Sequence, residues 1–359
     1  MKLFEQVTIG NKTLKNRMAM SAMTRSRAGL EGIVTDLTET YYTQRATAGL
    51  IISEAINISK QALGSPFTPG LFTEAQIAAW RKVTQAVHEQ GSTIYAQLWH
   101  TGRVGHSVDR DGALPVAPSA IAITGQPHYT SQGPKDYETP QALTIEEIQN
   151  IKADYLQAAK NAIAAGFDGV ELHAANGYLP HQFLSENANH RIDEYGGSIE
   201  NNSRFILEVI QALIAAVGGD KVGIKISPLQ PYGGIVMANP LATFTYLIEE
   251  LNKMDIAFVE LMKKSAMMPL LPGHPEGDEI EFFGNMIRHT LIVNGGYGKE
   301  NGEAELQKGI ADMISYGSTF LANPDLPKRF ELNAELNQGD PATWFGGTEK
   351  GYTDYPVLS

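Results

Sequence analysis

Short apolar runs recur along the chain and alternate with longer segments of mixed character. Eight runs predict strands, and they lie at residues 17–21, 50–55, 93–98, 169–173, 222–227, 258–261, 291–294 and 313–316. Several of them are continuously apolar rather than alternating. Parallel strands that are buried on both faces have this pattern.

The segments between the runs carry helical periodicity and helix-end signals. They predict helices at residues 74–89, 144–165, 203–217, 240–254 and 303–308. In the second, Thr144 and Glu147 have the spacing of a capping box, and Gly166 follows as a stop. Eight strands, each followed by a helix or a helix candidate, predict the α/β class and a (β/α)₈ TIM barrel. A doubly wound sheet is the alternative, although no G-x-G-x-x-G follows the first strand.

Some segments fall outside this alternation. Residues 3–9 and 12–14 flank Gly10-Asn11 and predict an N-terminal β-hairpin. Residues 101–143 and 262–285, which follow strands 3 and 6, are too long for plain loops and predict lids, binding loops or subdomains. We expect residues 1–359 to form one domain, with 337–359 as an irregular arm on its surface.

Composition narrows the class of protein. The 359 residues are 43% hydrophobic and contain no apolar run of membrane-spanning length. A net charge of −12 argues against binding nucleic acid, and the absence of cysteine excludes disulfides and thiolate chemistry. The first residues lack the apolar stretch of a signal peptide. We therefore expect a cytoplasmic protein without a membrane or nucleic-acid partner.

Polar residues collect where the predicted strands end, which is where barrel active sites lie. His173, Asn176 and Tyr178 follow strand 4, and uncharged donors of this kind suit an oxygen on which negative charge develops. The other strand ends contribute Ser21, Thr24, Arg25, Glu54, Gln97, Trp99, His100, Lys225, Ser227, Asn294-Gly295-Gly296 and Gly317-Ser318. Such a ring can hold a flat heterocycle by its polar edge, and the glycine pairs suit a phosphate.

Several of these residues also have an ordinary structural interpretation. The Asn-Gly-Gly segment can be a simple turn, and Gln97 can be a satisfied buried amide. Lys225 either pairs with an acid such as Glu171 or Glu54, or faces an anionic ligand, because an unpaired buried lysine is costly.

The histidines leave two further alternatives open. His173 can be a core histidine, and His181 and His190 lie close enough in sequence to raise a metal cluster. Their spacing matches no helical or hairpin ligand pair, and no carboxylate accompanies His173 and Asn176. We therefore predict no metal.

Many segments, in order, carry a family resemblance between Leu3 and Pro356. They include LKNRMAMSAMTR at 14–25, YYTQRATAGLIISEA at 41–55, AQLWHTGR at 96–103, GFDGVELHAANGYL at 166–179, NGGY at 294–297, ANPDLPKRF at 322–330 and GYTDYP at 351–356. The ordered set resembles the Old Yellow Enzyme family of FMN-dependent ene-reductases. The resemblance implies a TIM barrel with FMN at its C-terminal mouth and NADPH or NADH as the hydride donor.

The resemblance also implies cofactor contacts. Thr24 would bind the flavin carbonyl beside the reactive nitrogen, and Gln97 would bind the pyrimidine edge. Lys225 replaces the usual arginine beside the position that becomes anionic on reduction. The remaining implied contacts are Ala22, Met23 and Ala55 at the flavin, with Gly295, Gly296, Gly317 and Ser318 around the phosphate.

For the substrate, the resemblance implies an α,β-unsaturated carbonyl or nitro compound reduced by ping-pong hydride transfer. His173 and Asn176 would hold its oxygen and Tyr178 would supply the proton. Trp99, Phe67 and Phe345 would line the substrate site. The expected partner is a small molecule only, and the protein would be a monomer or homodimer.

Departures from the family pattern motivate a second hypothesis. Ser318 stands where an arginine usually grips the phosphate, and the segment after strand 6 predicts a more apolar, reshaped lid. The alternative function is therefore a flavin- or small-ligand-binding barrel with weak cofactor retention and little turnover. A third hypothesis is a metal-dependent barrel hydrolase, which chelators would inactivate.

Overall fold

Eight parallel strands close into a barrel in the computed structural model, which describes residues 1–358. Each strand pairs with its neighbours in sequence, and the eighth pairs with the first through Ile314 and Met18. The strands are β1 Met18–Met20, β2 Leu50–Ile52, β3 Thr93–Trp99, β4 Gly169–Ala174, β5 Val222–Ile226, β6 Phe258–Met262, β7 Thr290–Asn294 and β8 Met313–Tyr316. The predicted (β/α)₈ barrel and all eight strand positions are confirmed.

Ten α-helices in the described part of the chain surround the barrel. They are α1 Asp36–Gln44, α2 Glu74–Glu89, α3 Ile145–Ala164, α4 Leu179–Leu184, α5 Ile199–Val217, α6 Pro240–Leu251, α7 Glu279–Phe283, α8 Lys299–Lys308, α9 Ser318–Ala322 and α10 Leu326–Leu332. Helix α5 begins four residues before the predicted start because Ser198 caps it and accepts from the Asn201 N–H. Helix α1 was not predicted, since only Thr38, Tyr41 and Tyr42 are buried and no apolar stripe marks it.

The predicted hairpin closes the N-terminal end of the barrel. Val7–Ile9 and Lys12–Leu14 pair in antiparallel register. Its apolar side chains pack with residues inside the barrel and form one apolar cluster with them. The buried members of this cluster are Ile9, Leu14, Ala19, Leu50, Ile52, Tyr95, Ala257, Phe258, Ile292 and Met313. A larger apolar layer fills the space between the strands and the helices. The open end at the strand C-termini is therefore left for a binding site.

The C-terminal arm is fixed to the barrel by buried arginines. Arg25 donates to the Gly351 carbonyl at 2.7 Å, and Arg45 donates to the Tyr352 carbonyl at 3.2 Å. The Tyr352 ring is fully buried and stacks on Tyr41 with ring centroids 4.3 Å apart. The arm is irregular except for a 3-10 turn at Pro341–Thr343, and it carries the core residue Tyr352 instead of only lying on the surface. No helix in the described residues is long and apolar enough to span a membrane.

The carboxyl of Glu54 lies buried beside Arg25 and makes folding stability depend on pH. Burial raises the pKa of Glu54 from 4.5 to about 7 in the folded protein. The backbone N–H of Arg25, which donates to Glu54 Oε2 at 3.3 Å, only partly offsets this effect. The folded state thus binds this proton more tightly than the unfolded chain, and stability falls as pH rises from 4.5 through 7.

We expect Glu54→Gln to stabilise the fold at pH 8 by up to about 3 kcal/mol and much less at pH 5, because the amide has no ionisation cost. Thermal unfolding at both pH values measures the difference. Glu5→Gln, at an exposed position, is the matched control and should show no such dependence. An equal effect of Glu54→Gln at both pH values would contradict the prediction.

Candidate active site

A cavity of about 810 Å³ opens at the C-terminal ends of the strands. This volume is within the range of small-molecule and cofactor sites. Eleven of the predicted site residues line it: Ala22, Met23, Thr24, Phe67, Gln97, Trp99, His173, Asn176, Tyr178, Ser318 and Phe345. A neighbouring cavity of about 690 Å³ shares Pro66 and Phe67 but has none of the strand-end donors. The larger cavity is therefore the candidate active site.

Five predicted cofactor residues lie outside the walls of this cavity. Ala55 and Lys225 are buried, with 3% exposure each. Gly295 and Gly296 follow β7 with positive φ angles of 125° and 73°, and Gly317 precedes α9. Their contacts with a cofactor therefore stay predictions.

A tight turn after β4 brings the three uncharged donors together. Asn176 and Gly177 both have positive φ, 57° and 76°, and the Asn176 N–H donates to the Ser227 hydroxyl at 2.9 Å. A side chain at Gly177 would come within 2.3 Å of the Tyr232 carbonyl oxygen, so only glycine fits. The turn puts Tyr178 against the His173 ring, with centroids 4.9 Å apart.

His173 is a neutral imidazole with an unused nitrogen. Burial lowers its pKa well below the usual range, and the charge of Lys225 adds to this effect. The His173 Nδ1, the Asn176 Oδ1 and the Trp99 Nε1 are buried without a hydrogen-bond partner among the described residues. Buried polar atoms normally have partners, so such atoms beside a cavity fit a ligand that supplies them.

The Tyr178 side chain lies on the cavity wall with a neutral phenol. Burial raises the pKa of its phenol above the usual value, and Tyr137 and Tyr232 contribute in the same direction. Its ring packs edge-on against Trp99 at 5.0 Å and 85°. The hydroxyl therefore keeps its proton at neutral pH and the ring is held in one orientation.

The other two histidines of the predicted cluster lie in different environments. His181 is fully buried, accepts from the Gly177 N–H at 3.2 Å, and has its pKa lowered to about 3 by burial. His190 lies on the exposed surface. Within residues 1–358, no three His, Asp or Glu side chains converge as metal ligands would.

The ion pair of Lys225 has a partner that the sequence did not indicate. Lys225 Nζ lies 3.0 Å from Glu260 Oε1 and donates to the Ser21 hydroxyl at 3.1 Å. The predicted pairing of Lys225 with a buried acid is therefore confirmed, but the acid is Glu260 and not Glu171 or Glu54. Residues 225 and 260 are opposite each other in the β5–β6 register, and the sequence alone does not give that register.

Gln97 is a hydrogen-bonded buried amide and also a cavity-lining residue, which are the two interpretations considered for it. Its Nε2 donates to Glu171 Oε2 at 2.6 Å, so the amide is satisfied on one side. The same residue lines the cavity and can offer its other groups to a ligand.

The connection after β3 supplies a wall that was not predicted residue by residue. It folds into a hairpin, Pro127–Thr130 paired with Gly133–Asp136, and contributes Pro127, His128, Tyr129, Thr130 and Tyr137 to the cavity. Its place on the cavity wall is compatible with the binding loop predicted from its length, and a binding role stays a prediction. Among the described residues, none from the connection after β6 lines this cavity, contrary to the predicted lid.

Comparison with known proteins agrees with this architecture. Residues 2–337 match the model of the NADH:flavin oxidoreductase / NADH oxidase family. The putative 12-oxophytodienoate reductase 4 of Oryza sativa subsp. japonica is 40% identical, covering 98% of this chain and 91% of that protein. The flavin oxidoreductase hxnT of Emericella nidulans is 39% identical, covering 99% and 97%.

Solved structures give the same result. Morphinone reductase in complex with tetrahydroNAD is 43% identical, with a TM-score of 0.93 over 100% of this chain and 98% of that one. The old yellow enzyme homologue from Zymomonas mobilis is 41% identical, with a TM-score of 0.95 and full coverage of both chains. The chain belongs to the NADH:flavin oxidoreductase / NADH oxidase family, as an FMN-dependent oxidoreductase of the Old Yellow Enzyme type.

Proposed function

We propose that the protein is an NAD(P)H-dependent ene-reductase that reduces the C=C bond of α,β-unsaturated carbonyl or nitro compounds in a ping-pong reaction. The observation that carries the proposal is the group of neutral donors, His173, Asn176 and Tyr178, on one wall of the 810 Å³ cavity. Relatives named as 12-oxophytodienoate and morphinone reductases support a small organic substrate.

FMN, when bound, supplies the group that accepts a hydride from the nicotinamide and donates it to the substrate. Thr24 and Gln97 line the cavity and would hold the polar edge of the flavin, with Ala22 and Met23 beside it. Gly295, Gly296, Gly317 and Ser318 would surround the phosphate. Ser318 can offer a hydroxyl but no positive charge.

His173 and Asn176 would hold the carbonyl or nitro oxygen of the substrate and stabilise its developing negative charge. Both are uncharged, so they stabilise this charge without fixing a full ion pair in the resting site. Tyr178 would deliver a proton to the adjacent carbon as a general acid. Trp99, Phe67 and Phe345 would contact the apolar part of the substrate.

The purified protein tests the proposal directly. We expect a yellow protein whose flavin absorbance bleaches under anaerobic NADPH or NADH and recovers when cyclohexenone is added. A colourless protein that stays inactive after addition of FMN would sink the proposal.

A second function is favoured by Ser318, a neutral residue on the cavity wall at a position where the family resemblance implies a cation that holds the phosphate. In this alternative the barrel binds flavin or a small ligand with little turnover. The same assay separates the two, because a flavin that bleaches but does not recover with cyclohexenone supports the alternative.

A further inference from the structure

Three ionisable side chains lie inside the barrel, beneath the cavity. Lys225 on β5 and Glu260 on β6 form an ion pair whose side chains are only 4% and 0% exposed. Glu171 on β4 is also fully buried, and Gln97, which lines the cavity, connects it to the site. Burying such a pair is costly, and replacement by apolar residues is often neutral or stabilising for folding. The cluster therefore calls for a role other than stability.

The two carboxyl groups of the cluster differ in charge. Burial opposes ionisation of Glu260, but Lys225 and its hydrogen bonds outweigh burial and lower the Glu260 pKa. Burial raises the pKa of Glu171 well above the usual range, and the nearby Glu260 charge reinforces this effect. Glu260 is the carboxylate that pairs with Lys225, whereas Glu171 accepts from the Gln97 amide and forms no ion pair among the described residues. We therefore assign the negative charge of the cluster to Glu260 and none to Glu171.

The electric field of this cluster extends into the cavity. Lys225 stands opposite His173 in the β4–β5 register, and its charge contributes to the lowered pKa of that cavity-lining histidine. Reduction adds negative charge to a flavin, which a nearby cation favours and a nearby anion opposes. The negative charge of Glu260 therefore opposes the effect of Lys225 on the reduction of any flavin bound at this end of the barrel.

We propose that Glu260 offsets the charge of Lys225 and thereby lowers the reduction potential of bound FMN, an inference that rests on the proposed placement of the flavin over this end of the barrel. Glu260 is a positioning residue in this role, because it acts through Lys225. Glu171 contributes a hydrogen-bonding group and no charge.

Reductive titration of the FMN-loaded protein against a reference dye tests the proposal. We expect Glu260→Gln to raise the midpoint potential by at least about 30 mV, a tenfold change in the equilibrium constant of a two-electron couple. Glu171→Gln removes a carboxyl from the same cluster but no charge, and we expect a change below about 9 mV, or twofold. An unshifted Glu260→Gln, or an equal shift in Glu171→Gln, would overturn the proposal.

A double variant distinguishes a change in charge from a structural disturbance as the cause of a shifted potential. Lys225→Gln combined with Glu260→Gln removes both charges, so its potential should return to within about 9 mV of the original protein. A double variant that keeps the full shift of Glu260→Gln contradicts the proposal. The titration needs bound FMN but no ene-reductase turnover, so its failure is distinct from failure of the proposed function.

Discussion

Tyr178→Phe is expected to slow reoxidation of the reduced protein by cyclohexenone by about 10²–10⁴-fold, which is the usual contribution of a general acid. Reduction by NADPH should be nearly unchanged, since that half-reaction needs no proton from Tyr178. The phenylalanine ring can keep the edge-on contacts of Tyr178 with Trp99 and His173, so the substitution removes only the hydroxyl.

Anaerobic stopped-flow spectroscopy of the flavin measures the two half-reactions separately. Tyr155→Phe is the matched control, because it removes a tyrosine hydroxyl that is buried on α3, away from the cavity. If Tyr178→Phe slows both half-reactions equally, Tyr178 is not the specific proton donor.

The strands could be predicted because the barrel imposes a strong local pattern. Strands buried on both faces need continuous apolar runs, such as Leu50–Ile52, and that pattern is visible without any knowledge of the neighbours. The strand ends then placed His173, Asn176 and Tyr178 at one end of the barrel. The division of roles among these three came from the family resemblance, and it stays a proposal.

Contacts that depend on register or on distant segments were beyond the sequence. Glu260 pairs with Lys225 only because β5 and β6 align residues 225 and 260, and a shift of one residue would turn Glu260 outward. The burial of Tyr352 depends on Tyr41, more than 300 residues earlier in the chain. The aromatic wall of residues 127–137 depends on how one long connection folds back over the cavity.

Loss of the Asn176 amide is expected to slow cyclohexenone reduction by about 10²–10³-fold, equivalent to roughly 3–4 kcal/mol of stabilisation of the developing oxyanion. Asn176→Gly is the better substitution than alanine, because residue 176 has a φ of 57° and glycine adopts this conformation without strain. The turn should survive, since its anchor to Ser227 is a backbone N–H.

This variant should differ from Tyr178→Phe in one measurable respect. The nicotinamide carboxamide also carries a carbonyl oxygen, so removal of Asn176 should slow the NADPH half-reaction as well, whereas Tyr178→Phe should not. Ferricyanide takes electrons one at a time, and its reduction does not require the Asn176 side chain to bind an oxygen atom of the acceptor. The reduced Asn176→Gly protein should therefore reduce ferricyanide at the original rate. A ferricyanide rate that falls as far as the cyclohexenone rate would show that the variant disturbs the cofactor instead of the substrate oxygen.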